Sequence, residues 1–254
     1  MQAEIQKLET FRDINEELVG YIRRVTKIDI EKCHKLLSCI PANKMHLFSH
    51  MQILNVRECG GLEEIFESND RSMKYDELWY IYLFSLPKLK HIWKNHVQIL
   101  RFQKLLEIYI EKCDDLSCVF WDVSMTTSLP NLQLLSVCNC EKIQQIIGNS
   151  NSNPINCVIE QQQRDKIIFP RLFEIKLQNL PNLICFSQSS FPSYVELPKC
   201  FRIIIEDCQE MKTFWFNGTL YTPTLWTSRV DNTKFDMDED VNEVILQHSK
   251  CFER

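Results

Sequence analysis

Glycine is scarce in this chain of 254 residues: there are five. A glycine-rich loop that cradles a nucleotide phosphate is disfavoured, and no G-x-x-x-x-G-K-[ST] occurs. Neither G-x-S-x-G nor H-E-x-x-H is present, so no hydrolase or zinc-protease signature points to an enzyme. The most apolar run, Leu78 to Leu86, is about half the ~20 residues that a membrane-spanning helix needs. The N-terminus, Met1-Gln-Ala-Glu-Ile-Gln-Lys-Leu-Glu9, carries charge where a secretory signal needs an apolar centre. Basic charge is not in excess: 29 Lys and Arg face 34 Asp and Glu, for a net −5, so nothing in the composition demands nucleic acid or an anionic membrane, either of which would favour a basic face. The expectation is a soluble, cytoplasmic, non-enzymatic protein with no cofactor, no metal, no nucleic acid and no membrane span.

Cysteine, by contrast, is plentiful at 12. A zinc site needs tight pairs such as C-x-x-C, and the closest spacings are Cys138-x-Cys140 and Cys113-x4-Cys118. A disulfide framework belongs to short secreted chains. Cys33, Cys59, Cys113, Cys140 and Cys208 instead share one slot of a repeat, which predicts buried structural thiols.

That repeat is clearest in Phe102–Phe120. With Cys113 as origin, apolar residues stand at −8 (Leu105), −5 (Ile108), −3 (Ile110), +3 (Leu116), +6 (Val119) and +7 (Phe120). The segment Leu105 to Cys113 reads L-x-x-I-x-I-x-x-C, the leucine-rich-repeat signature of a short strand and its turn. The offsets recur around Cys33, Cys59, Leu86, Cys113 and Cys140, spaced by 26, 27, 27 and 27 residues. The next origin, Leu180, comes 40 residues after Cys140, and the excess is a polar loop insertion at 149–165. Cys208 follows after 28 residues, and Thr222 to Val230 reads as a partial eighth turn.

Three segments follow: residues 1–25, 26–233 and 234–254. In the first, Ile5, Leu8, Phe11, Ile14, Leu18 and Ile22 are spaced as on a helix face, which suits a capping helix; a degenerate repeat fits equally. The second is a solenoid of about eight repeats. The third is a capping segment in which an acidic turn (Asp236-x-Asp238-x-Asp240, without the Gly and Glu of a calcium loop) leads into a short helix capped by Asp240 or Asn242. The fold class is an α/β repeat solenoid: a leucine-rich-repeat arc with a parallel β-sheet on the concave face. Proline near strand starts (Pro130, Pro170, Pro198, Pro223) predicts mainly loops and short turns on the convex face.

Strand residues between the inward ones then form three concave columns: Lys27 through Arg202, Asp29 through Ile204, and Glu31 through Glu206. One patch departs from a polar background. Tyr80, Tyr82, Phe84 and Tyr109 fall side by side on adjacent repeats, with Glu107 and Glu111 between them. Clustered aromatics bury much area at low entropy cost, so these six residues are the expected partner-binding site.

Leu86-Pro-Lys-Leu-Lys-His-Ile-Trp93, Leu129-Pro-Asn-Leu-Gln-Leu-Leu-Ser-Val-Cys-Asn-Cys140 and Phe169-Pro-Arg-Leu172 with Leu180-Pro-Asn-Leu183 resemble the C-terminal repeats of plant disease-resistance proteins. The match is to the coiled-coil class of nucleotide-binding, leucine-rich-repeat immune receptors, over about residues 26–246. The resemblance implies repeats that sense pathogen effectors, or host proteins altered by them, and hold a receptor off until triggered. The receptors' nucleotide-binding and signalling domains have no counterpart here, so the expectation is a fragment, a truncated product or a stand-alone module. Its partner is then an effector, a host protein or its own nucleotide-binding domain. The alternative is a stand-alone adaptor or scaffold unrelated to defence, such as the substrate-recognition part of a ubiquitin ligase; residues 1–25 are short for the F-box-like segment that role requires.

Overall fold

The computed structural model describes residues 2–6, 24–40, 45–67, 73–93, 100–121, 123–148, 165–231, 233–235 and 241–252. Most of the polar insertion at 149–165, most of the helix-spaced stretch Ile5 to Ile22, and the acidic turn Asp236–Asp240 therefore lie outside the described residues.

Each repeat contributes a five-residue strand: Lys27–Glu31, Ile53–Arg57, Tyr80–Phe84, Glu107–Glu111, Leu134–Cys138, Glu174–Gln178 and Arg202–Glu206. They stack in chain order as parallel neighbours, with residues of equal offset opposite one another. Thr227–Val230 extends the sheet in parallel, and Thr233–Phe235 folds back on it antiparallel. At the other end Gln2–Gln6 pairs with Lys27–Glu31, so Ile5 lies in a strand opposite Ile30, not in a helix. Among the described residues ten strands form this sheet.

The inward slots account for the core. Leu105, Ile108, Ile110, Cys113, Leu116, Val119 and Phe120 are all buried, as are their equivalents in the other repeats. A five-residue strand alone cannot bury both its apolar side chains, so each layer depends on its neighbours. At +7 of three successive repeats the core is aromatic: Phe66 stacks on Trp93 at 5.5 Å and Trp93 on Phe120 at 6.3 Å. The Trp93 Nε1–H donates to the Val119 carbonyl at 2.8 Å, which satisfies the polar end of a buried indole.

The turns explain the prolines. Leu132, Leu172, Cys200 and Leu225 donate their N–H to the carbonyls of Leu129, Phe169, Leu197 and Thr222. Pro130, Pro170, Pro198 and Pro223 thus occupy the second turn position, where a fixed φ near −65° is needed and no N–H is used. Gly61 has a separate reason: a Cβ there would stand 2.1 Å from the His34 carbonyl oxygen.

Between the sheet strands the convex side carries no α-helix among the described residues; the connections include the short 3-10 turns Met45–Phe48 and Val123–Ser128. Its loops and turns alternate with short strands, Ser38–Ile40, Glu64–Phe66 and His91–Trp93 in one parallel group. Toward the C-terminus this layer lengthens: Cys185–Glu196 pairs in parallel with Thr213–Tyr221, interrupted between Gln188 and Ser193. The helix Val241–Phe252 packs on the last turns. Asn242 does not serve that helix as a simple cap. Its Oδ1 accepts from Thr213 Oγ1 and from the N–H groups of Phe214 and Trp215.

Candidate functional site

The three concave columns exist as expected from the spacing. Their registers run Lys27, Ile53, Tyr80, Glu107, Leu134, Glu174, Arg202 in the first, and in step through the other two. Alternation within each strand turns the residues at −6, −4 and −2 away from the core.

Tyr80–Phe84 and Glu107–Glu111 are direct neighbours, so the six expected site residues form one two-strand patch: Tyr80 opposite Glu107, Tyr82 opposite Tyr109, Phe84 opposite Glu111. All six are half-buried. The Tyr80 and Tyr82 rings are parallel with centroids 6.0 Å apart, and Phe84 lies 5.2 Å from Tyr109. Tyr82 donates its hydroxyl to Glu107 at 3.1 Å and Tyr109 donates to Glu111 at 3.2 Å. Asn139 Nδ2 adds a second donor to Glu111 at 3.3 Å. Burial, reinforced by the Glu107 carboxylate, pushes the Tyr82 phenol up to about 12. Burial, with the Cys138 thiol and the Glu111 carboxylate adding, does the same to Tyr109. Both phenols are therefore neutral donors at physiological pH.

The concave face is charged differently along its length. At its N-terminal end Asp29 is held by Lys27 at 3.0 Å, Arg57 at 3.7 Å and the Asn55 amide at 2.8 Å. Glu31 pairs with Lys32 at 2.8 Å. At the C-terminal end Glu174 pairs with Arg202 at 3.2 Å, and Glu206 with Arg229. Between these ends, Glu107 and Glu111 have only neutral donors among the described residues. In the next strand the outward residues Ser136 and Cys138 are small and buried.

Two features of the surface escape a reading confined to the three columns. Trp79, 37% exposed, lies with its ring 6.4 Å from Tyr80 and carries the patch onto the rim of the sheet. At the same offset in the last repeats, Phe173, Phe201 and Trp226 stack in a row, with centroids 5.1 and 6.2 Å apart. The signal was in the sequence: an aromatic recurs at −7 from Leu180 and Cys208 and in the partial turn after them. A shallow groove runs along the strand-exit turns, lined by His34, Ser85, Lys112, Asn139 and Asn179 among others; it borders the aromatic patch, since Ser85 and Lys112 follow Phe84 and Glu111 and Asn139 donates to Glu111.

The cysteines behave as scaffold. Cys33 and Cys113 donate their N–H to the sulfurs of Cys59 and Cys140 in the next layer, each at 3.4 Å. The thiols of Cys33, Cys59, Cys140 and Cys208 donate to the carbonyl two residues back. Among the described residues no group of three or more His, Cys, Asp or Glu is placed to hold a metal. No helix among them is long and apolar enough to cross a membrane.

Comparisons with known proteins meet this geometry from outside. The chain is 26% identical over 199 residues to a probable disease resistance protein of Arabidopsis thaliana, a match covering 67% of this chain and 20% of that relative. It thus spans about a fifth of the relative's length. No solved structure matches. The model of the plant disease resistance protein RPS2-like leucine-rich repeats matches residues 6–141 and 121–217, most of the stacked sheet and the whole aromatic patch, and the chain belongs to that family.

Proposed function

We propose that the chain is a non-enzymatic protein-recognition module, the effector-sensing or autoinhibitory repeat region of a plant disease-resistance protein acting in the cytoplasm. Family membership supports the resistance setting, and repeats of this kind are typically recognition modules without catalysis. The observation that carries the reading is the concave patch. Four aromatic side chains lie half-buried on two adjacent strands, while Phe173, Phe201 and Trp226 stack at the rim. Rigid strands hold them, so little conformational entropy is lost when a partner covers them. The partner is a pathogen effector, a host protein, or the nucleotide-binding domain of the same receptor.

Photo-cross-linking in plant extract tests this reading. A benzoylphenylalanine in place of Phe84 is expected to trap a protein adduct; the same group in place of His91, exposed on the convex side, is not. A Tyr80→Ala/Tyr82→Ala/Tyr109→Ala background with an unchanged melting curve is expected to abolish the adduct. Adducts from the convex position alone would overturn the assignment.

A further inference from the structure

We infer that the concave patch recognises cationic side chains, arginine or lysine presented by a basic segment of the partner protein. This deepens the function proposed above and rests on it. The first ground is the distribution of counter-charge. Asp29, Glu31, Glu174 and Glu206 each have a Lys or Arg within ion-pair distance. Glu107 and Glu111 have none among the described residues; their partners are two phenol hydroxyls and an amide. Such donors fix where the carboxylates point and leave both negative charges in place. A partner that covered them with apolar or acidic groups would desolvate two uncompensated carboxylates, whose burial is costly.

The second ground is the rings. Tyr80, Tyr82, Phe84 and Tyr109 border the two carboxylates on the same face. Aromatic faces attract ammonium and guanidinium groups, and guanidinium also stacks flat on them. Carboxylate and ring together select a cation where rings alone would accept any apolar group. Glu107 and Glu111 stand four residues apart on one strand, about 13 Å at the rise of a β-strand. Two basic side chains of one extended segment can therefore be held at once.

The probe is a hexa-arginine peptide, with hexa-citrulline as the uncharged shape control, titrated into the full chain by fluorescence anisotropy. Because the chain carries a net −5, a variant with two remote exposed acids neutralised, Glu210→Gln/Glu243→Gln, is the charge-matched reference. Glu107→Gln/Glu111→Gln keeps an acceptor for each tyrosine and is expected to weaken hexa-arginine binding at least about fivefold relative to that reference. Tyr80→Ala/Tyr82→Ala is expected to weaken it about threefold or more. Hexa-citrulline is expected not to bind. Equal weakening in the patch and remote variants, or equal binding of citrulline, overturns the inference. The Phe84 cross-link separates the two levels. An adduct lost with the tyrosines but kept in Glu107→Gln/Glu111→Gln overturns cation recognition and leaves the concave site standing. An adduct kept in both overturns both.

Discussion

At the scale of single residues the scaffold repeats a backbone device as well as a side-chain pattern. Lys32, Glu58, Ser85, Lys112, Asn139, Asn179 and Asp207, each just before a repeat origin, have φ between 50° and 57°. None is glycine. Lys32, Glu58, Ser85, Lys112, Asn139 and Asn179 donate their N–H to the carbonyl at the end of the next strand; Asp207 donates to the Asp231 carboxylate. The left-handed kink thus turns the chain out of the sheet and aims one donor at the following layer. A β-branched residue resists this conformation and glycine does not. Lys112→Val is expected to lower stability by about 1–2 kcal/mol and Lys112→Gly by less than about 0.5 kcal/mol, read by urea unfolding. Equal losses would mean that the Lys112 side chain, not its backbone, matters. The buried thiols give a second residue-scale prediction. Burial pushes Cys200 and Cys208 up to about 12 from an ordinary 9.0. An acid whose pKa is raised by folding holds its proton more tightly folded than unfolded. Stability is then full below pH 9 and falls as pH rises from 9 towards 12, where the unfolded thiols ionise first. Urea midpoints are expected to be flat from pH 7 to 8.5 and to decline above 9, with a shallower decline in Cys200→Ala/Cys208→Ala.

At the scale of elements, the strand Glu107–Glu111 divides into two sets of residues. Ile108 and Ile110 are fully buried between neighbouring layers, and Glu107, Tyr109 and Glu111 face outward. Ile108→Asp places an unpaired carboxylate in that interior, and a loss above about 3 kcal/mol is expected. Native-like thermal stability in that variant would show the register to be wrong. Such registers were legible because six apolar offsets recur in phase, which only stacked layers explain. The outward placement of the candidate residues was legible for the same reason: once Ile81 and Leu83 point inward, Tyr80, Tyr82 and Phe84 must point out. Other elements were hidden. The pairing of Cys185–Glu196 with Thr213–Tyr221 joins segments on the convex side, where no apolar alternation marks a strand as it does in the repeats. The strand at Gln2–Gln6 was hidden by Ile5, whose spacing to Leu8 and Phe11 fits a helix face. The role of Asn242 was hidden because its partners, Thr213, Phe214 and Trp215, are distant in sequence.

At the scale of the whole molecule, a solenoid is held by contacts between adjacent layers, so its stability is local and its ends need cover. The C-terminal end shows how that cover works. Val241, Val244 and Ile245 are buried where the helix meets the last turns. Beside them the Asn242 oxygen receives the Phe214 N–H at 3.0 Å and the Trp215 N–H at 2.9 Å, donors that a further repeat would otherwise engage. Removing the oxygen leaves two backbone donors and the Thr213 hydroxyl without that acceptor, at a cost of about 1–3 kcal/mol. In a globular core the loss would spread through one cooperative unit. In a layered array it should stay near the end where it is made. Asn242→Ala is therefore expected to speed amide exchange in residues 202–230 and to leave residues 53–138, which include the two strands of the aromatic patch, at their original protection. Hydrogen-exchange mass spectrometry on the intact chain reads both regions in one experiment. A uniform rise across both regions would show that the array unfolds as a single unit. Unchanged exchange at 213–221 would show that Asn242 is dispensable to the end of the array.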